Sequence, residues 1–190
     1  WADEAASVEQ AVHLGTASTW LDGARIVPPV FGKWEVSEAF PSASFDEAFA
    51  FECGPEPGGK EDKATWSPIS IELGKPLAAV VKKENASAFV RTTVESDQTR
   101  EVVFRVSSDD GIRVWANGKL IHDNKVLRGV NQSVDTVKIH LDKGSNSILF
   151  KIVNAGSDDG LFVDVGDDAA KRIEATYKLL ATEPAKAEPE

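Results

Sequence analysis

One short phrase occurs twice in this chain with the residues to do chemistry. Ser108-Asp109-Asp110-Gly111 and Ser157-Asp158-Asp159-Gly160 each place two adjacent carboxylates before a glycine. Calcium takes six to eight hard oxygen ligands at flexible geometry. Asp109, Asp110, Asp158 and Asp159, joined by the amide oxygen of Asn154 and a carbonyl or two, would make such a set if the two phrases met at one end of a fold. The competing explanation is turn chemistry. Aspartate side chains cap backbone amides, and glycine takes positive φ at no steric cost.

Aromatic residues supply a second kind of chemistry. Strict alternation puts Trp115 on the face opposite Ile112, Val114 and Ala116, beside Arg113. An exposed indole there would stack on the apolar C–H face of a pyranose ring. Trp66, next to a polar stretch, is a second candidate platform. A buried tryptophan in a two-faced sheet is the alternative for both. Asn117 and Arg113 are the polar groups nearest to Trp115, although an Asn-Gly turn accounts for Asn117 by itself. Trp115, Trp66, Asn117 and Arg113 form the candidate carbohydrate-binding set.

Catalytic patterns are missing. The sequence holds no Gly-x-Ser-x-Gly, His-Glu-x-x-His, phosphate-loop or Gly-x-Gly-x-x-Gly motif. Cys53 is the single cysteine, and no histidine stands near it in sequence. No Cys/His cluster has zinc spacing. Haem attachment through Cys-x-x-Cys-His is impossible. The expectation is a protein that is not an enzyme, with calcium as the candidate cofactor and neither haem nor zinc.

The elements that must position these residues are strands. Val102, Phe104 and Val106 share a face at period two. So do Ile112, Val114 and Ala116; Val137, Ile139 and Leu141; Ile148, Phe150 and Ile152; and Leu161, Val163 and Val165. Turn signals separate the runs, and Asn117-Gly118 is the strongest, a type I′ hairpin pair. Short strands with turns at this spacing predict an all-β, antiparallel jelly-roll sandwich with short peripheral helices. Residues 34–37 and 69–73 also alternate, and 55–67 reads as a loop. The expected organisation is an N-terminal extension at 1–29 with a short helix from Asp3 to Val12, the sandwich at 30–166, a C-terminal helix at 167–182 capped by Asp167, and a Pro/Ala/Lys/Glu tail at 183–190.

The 190 residues suffice for one domain with a sizeable core, and the formal net charge is −10. That charge repels phosphate backbones and anionic membrane surfaces, so nucleic acid is excluded as a partner. No apolar run approaches the ~20 residues of a membrane span. The chain begins at Trp1 and contains no methionine; it is expected to be a trimmed piece of a longer protein.

Two stretches together carry a family resemblance. One is Trp34 to Glu56, W-E-V-S-E-A-F-P-S-A-S-F-D-E-A-F-A-F-E-C-G-P-E. The other is S-S-D-D-G-I-R-V-W-A-N-G-K-L-I-H-D at 107–123, followed by L-D-K-G-S-N-S-I-L-F-K-I-V-N-A-G at 141–156. They resemble the galactose-binding-like jelly-roll modules of large planctomycete surface proteins, which often sit beside cytochrome c-type domains. Ser37-Glu38-Ala39-Phe40 stands where that family has Gly-Pro-Phe. The D-D-G…N-G segment is also similar to protective-antigen-type lectin sandwiches. Some of those hold calcium through two adjacent aspartates joined by a cis peptide, and Asp109 and Asp110 occupy the matching place. The resemblance implies a jelly-roll sandwich, an exported (extracellular or periplasmic) location and a carbohydrate-binding ancestry. The resulting expectation is a non-catalytic module of a larger exported protein, with a polysaccharide or glycan and the neighbouring domains as partners. The alternative is a structural or docking domain that orients its neighbours without a small ligand.

Overall fold

A computed structural model describes residues 29–52, 54–58 and 64–165. The helices expected at 3–12 and 167–182, the tail, most of the N-terminal extension and Cys53 lie outside the described residues.

Among the described residues, alternating apolar runs fold into twelve strands, joined by one short helix. In order they are β1 (Val30–Phe31), β2 (Trp34–Ser37), β3 (Phe40–Pro41), α1 (Phe45–Ala50), β4 (Trp66–Ile69), β5 (Pro76–Ala78), β6 (Ala86–Ser96), β7 (Arg100–Asp109), β8 (Gly111–Ala116), β9 (Lys119–Asn124), β10 (Asp135–Leu141), β11 (Gly144–Asn154) and β12 (Gly160–Val165). Every strand pairing is antiparallel. One sheet runs β4-β2-β6-β11-β8-β9, with β1 and β3 also on β6. The other runs β10-β7-β12-β5. From β5 onward, every connection except the β8–β9 hairpin crosses from one sheet to the other. This is the expected antiparallel jelly-roll sandwich.

The five period-two runs face one another between the sheets. Phe104, Val106, Ile112, Val114, Ile139, Leu141, Phe150, Ile152 and Val163 are all fully buried. Burying such side chains is the main favourable term of folding, at roughly 1.5–3 kcal/mol each. The β8–β9 turn also matches expectation, with positive φ at both Asn117 (49°) and Gly118 (78°).

Three local readings change. The strand expected at 69–73 lies earlier, at Trp66–Ile69, so Trp66 belongs to an edge strand and not to the preceding loop. Helix α1 was hidden among residues that alternate poorly. Its signal is a capping box: Ser44 accepts the Glu47 amide at 3.2 Å, and the Glu47 carboxylate accepts the Ala43 amide at 3.2 Å. The glycines of the two Asp-Asp-Gly phrases do not have positive φ. They are required for space. A Cβ at Gly111 would stand 2.9 Å from the Phe49 ring, and one at Gly160 would stand 2.9 Å from the Leu77 carbonyl oxygen.

The first sheet has a partly covered outer face. Residues 45–52, which contain α1, and 54–58 lie across it near the β7–β8 corner. Lys151 points outward from β11 beneath this strap and is completely buried. Its ammonium donates to the Phe49 carbonyl at 3.3 Å and to Glu56 at 2.6 Å, and also to the Phe51 carbonyl.

Candidate functional site

The strand register brings the two Asp-Asp-Gly phrases together. Gly160 of β12 is the cross-strand partner of Asp109 at the end of β7. Asp110 occupies the tight corner between β7 and β8, where its amide donates to the Val153 carbonyl at 3.0 Å. The Asp109–Asp110 peptide is cis. Asn154 closes β11 at the same end. All five candidate metal ligands therefore gather at one end of the sandwich.

Their present roles differ. The Asp159 carboxylate accepts the amides of Val80, Val81 (2.8 Å) and Lys82 (2.8 Å). It is the staple of the 79–82 loop, where Ala79 and Lys82 both have positive φ. Asp110 is also buried. Its two oxygens accept the Arg128 amide at 2.9 Å and the Ala155 amide at 2.8 Å. The Asn154 amide oxygen accepts from the Gly156 amide at 3.0 Å, while its nitrogen donates to the carbonyls of Lys83 and Gly156. Asp109 is half-buried and Asp158 exposed. Among the described residues, neither carboxylate has a hydrogen bond or an ion pair.

That isolation has an electrostatic cost. Burial pushes the Asp109 carboxyl above the ordinary carboxylate range, and the negative charges of Asp110, Asp158 and Asp159 push it the same way. Ionising Asp109 therefore opposes folding. The penalty applies at neutral pH and disappears as pH falls through its raised pKa. The donor chemistry suits a hard cation: hard oxygens, uncompensated charge, and spare lone pairs on Asp110, since a carboxylate offers about four. Among the described residues, no three acidic, histidine or cysteine side chains already converge on one metal-holding point. Asp159, with three amides on it, is the least available of the five.

The candidate sugar-stacking residues lie elsewhere. Trp115 is five residues along β8 from Asp110, or roughly 16 Å at the rise of a strand. It is only 6% exposed. Its edge lines a shallow groove of about 470 Å³ on the outer face of the first sheet, together with Leu149, Arg91, Glu35, Pro55 and Pro57. The Arg91 guanidinium lies 3.9 Å from the centre of the half-buried Trp66 ring and occupies one of its faces. Arg113 lies over Phe49 at 4.5 Å and faces Glu56 at 3.8 Å and Asp123 at 3.3 Å, so it clamps the strap. Asn117 is at the far end of the sandwich, where it accepts the Ser147 amide at 2.9 Å and donates to Asn146 at 2.8 Å. The metal set and the sugar set do not form one patch.

Sequence reasoning missed the residue that ties the aspartate end together. Arg128, 7% exposed, forms a fork on Asp135 at 3.0 and 2.8 Å. Asp135 also accepts from Asn124 at 3.0 Å and stands 3.0 Å from His122 Nε2. Burial alone would raise the Asp135 carboxyl, but hydrogen bonds from Arg128, Asn124 and His122, with the Arg128 charge, outweigh it and hold the group at about 2. The ordinary value is 3.8. Stability from this cluster is therefore complete above pH 3.8 and is lost as pH falls towards 2. With screening at its exposed edge, we expect about 1–2 kcal/mol. Urea midpoints measured from pH 5 to pH 2 should show this loss, and Asp135→Asn should flatten it. An unchanged slope in the variant would assign the acid sensitivity to other carboxylates.

No family model matches the sequence, and no curated protein sequence matches it. Solved structures do. An anti-sigma factor domain-containing protein superposes with a TM-score of 0.46 at 14% identity, covering 74% of this chain and 44% of that one. A β-glucosidase from Kluyveromyces marxianus, in complex with glucose, gives 0.42 at 16%, covering 76% and 17%. A PA14 sugar-binding domain from an RTX adhesin gives 0.42 at 16%, covering 74% and 92%. The chain thus spans less than half of the first of these and about a sixth of the second.

Proposed function

We propose that this chain is a non-catalytic carbohydrate-binding module of a larger exported protein, and that it grips its ligand with calcium at the aspartate end of the sandwich. The observation that carries the reading is the Asp109 carboxylate: half-buried, without a partner among the described residues, and repelled by three further carboxylates. A folded chain rarely leaves such charge uncompensated unless something external compensates it. Asp109 and Asp158 supply the free oxygens. Asp110 and Asn154 are held in place by the backbone and lend remaining lone pairs. Bound calcium would neutralise the cluster and offer open coordination positions to the hydroxyls of a sugar. Trp115, roughly 16 Å along β8 from Asp110, lies too far away to stack on that sugar.

Thermal unfolding in calcium and in chelator tests this. At a hundredfold excess over the dissociation constant, calcium should add about 2.7 kcal/mol, or roughly 5–10 °C for a domain of this size. Asp109→Asn should abolish the response. It should also stabilise the metal-free protein slightly, by less than about 1 kcal/mol, because it removes an unfavourable charge. Glycan screening in calcium then identifies the sugar. No shift with calcium would leave the structural or docking reading, which the burial of Trp34 and Trp115 favours.

A further inference from the structure

We infer that Arg128 is the positioning residue of the aspartate corner: it sets the place of Asp110 and so the affinity of the site for calcium. The inference rests on the calcium reading above. Arg128 holds the corner from both sides. Its side-chain Nε donates to the carbonyl of Ser108, just before the Asp109–Asp110 pair, at 3.2 Å. Its backbone amide donates to the Asp110 carboxylate itself at 2.9 Å. The Asp110 carboxylate therefore hangs between the 125–134 loop and the Ala155 amide.

The loop is fixed in turn by the same guanidinium. Arg128 Nη1 donates to Ser133 Oγ at 2.9 Å, and the fork engages both oxygens of Asp135 at the start of β10. Ser107 Oγ donates to the Ser133 carbonyl at 2.6 Å and closes the loop onto β7. Leu127 is 67% exposed while Arg128 beside it is buried, so the chain turns at this point to send the guanidinium inward. A planar fork can satisfy a carbonyl, a hydroxyl and a carboxylate together; a lysine ammonium has no such fixed geometry.

The pairing with Asp135 has a second effect. A bare guanidinium beside the corner would repel a divalent cation. With Asp135 neutralising it, the charge is absorbed locally.

The test separates positioning from stability. The calcium dissociation constant of the whole chain is measured by calorimetry for wild type, Arg128→Lys, Asp135→Asn and Ile148→Val, beside urea unfolding of each. Ile148→Val is a mild core change on β11, near the opposite end. Arg128→Lys and Asp135→Asn should weaken calcium binding tenfold or more, while Ile148→Val leaves it within twofold. Asp135→Asn decides the matter if Arg128→Lys does not fold. Wild-type affinity in folded Arg128→Lys or Asp135→Asn overturns this inference alone and leaves the calcium reading standing. Wild-type protein that takes up no calcium overturns both.

Discussion

Replacing Lys151 with alanine will lower the free energy of unfolding by about 3–5 kcal/mol, one of the largest effects expected of a single side chain here. The ammonium is completely buried between sheet and strap, and three groups depend on it: the Glu56 carboxylate and the carbonyls of Phe49 and Phe51. Its removal leaves Glu56, itself 7% exposed, with only the longer 3.8 Å approach of Arg113 among the described residues. The carbonyls lose a charged donor at the point where the strap must stay on the sheet. A buried ion pair is costly to break by halves, because desolvation has already been incurred by the partner that remains. The double variant Lys151→Met with Glu56→Leu should therefore recover most of the loss. Urea denaturation of the single and double variants checks both statements. A single-variant loss under about 1 kcal/mol would mean that the strap does not depend on this pair.

Asp159→Ala should be nearly as damaging, at about 3–5 kcal/mol, since each orphaned buried amide costs roughly 1–3 kcal/mol. Val80, Val81 and Lys82 would all lose their acceptor, in a loop that already holds Ala79 and Lys82 at positive φ. Asp159→Asn keeps one acceptor oxygen and should cost less. The same loss is expected in chelator and in calcium, because in this structure Asp159 serves the backbone first. That contrasts with Asp109→Asn, which should change the calcium response and leave the metal-free fold at least as stable. A loss for Asp159→Ala that appeared only in calcium would return Asp159 to the role of a metal ligand.

The two variants also mark how far the sequence could be read. The phrases around Asp109 and Asp158 are alike in sequence, yet within each pair the structure divides the work between a stapled aspartate and a free one. In each pair one carboxylate, Asp110 or Asp159, accepts backbone amides, while its neighbour, Asp109 or Asp158, has no hydrogen bond or ion pair among the described residues. Which amides those are depends on loops 79–82 and 125–134, far away in the chain. Asp110 and Arg128 are linked through a loop 18 residues away, and Asp159 and Val80 across 79 residues. No local pattern encodes such pairings.

Strand identity, the core faces and the β8–β9 turn were legible because they depend on nearest neighbours: a period of two, β-branched and aromatic residues, and a pair of residues that tolerates positive φ. Helix α1 was equally local, and its Ser44–Glu47 capping box was the available signal. Tertiary structure alone decided the rest. Period two predicts that Arg113, Trp115 and Lys151 point away from the core, and they do; it does not predict that a strap covers Lys151 on that outer face, or that Trp115 is left only 6% exposed there. Likewise, glycine after two aspartates suggests a left-handed turn, whereas close approach by Phe49 and by the Leu77 carbonyl is what excludes a side chain there. Periodicity reports which way a side chain points, while burial and pairing depend on what the rest of the chain brings to meet it.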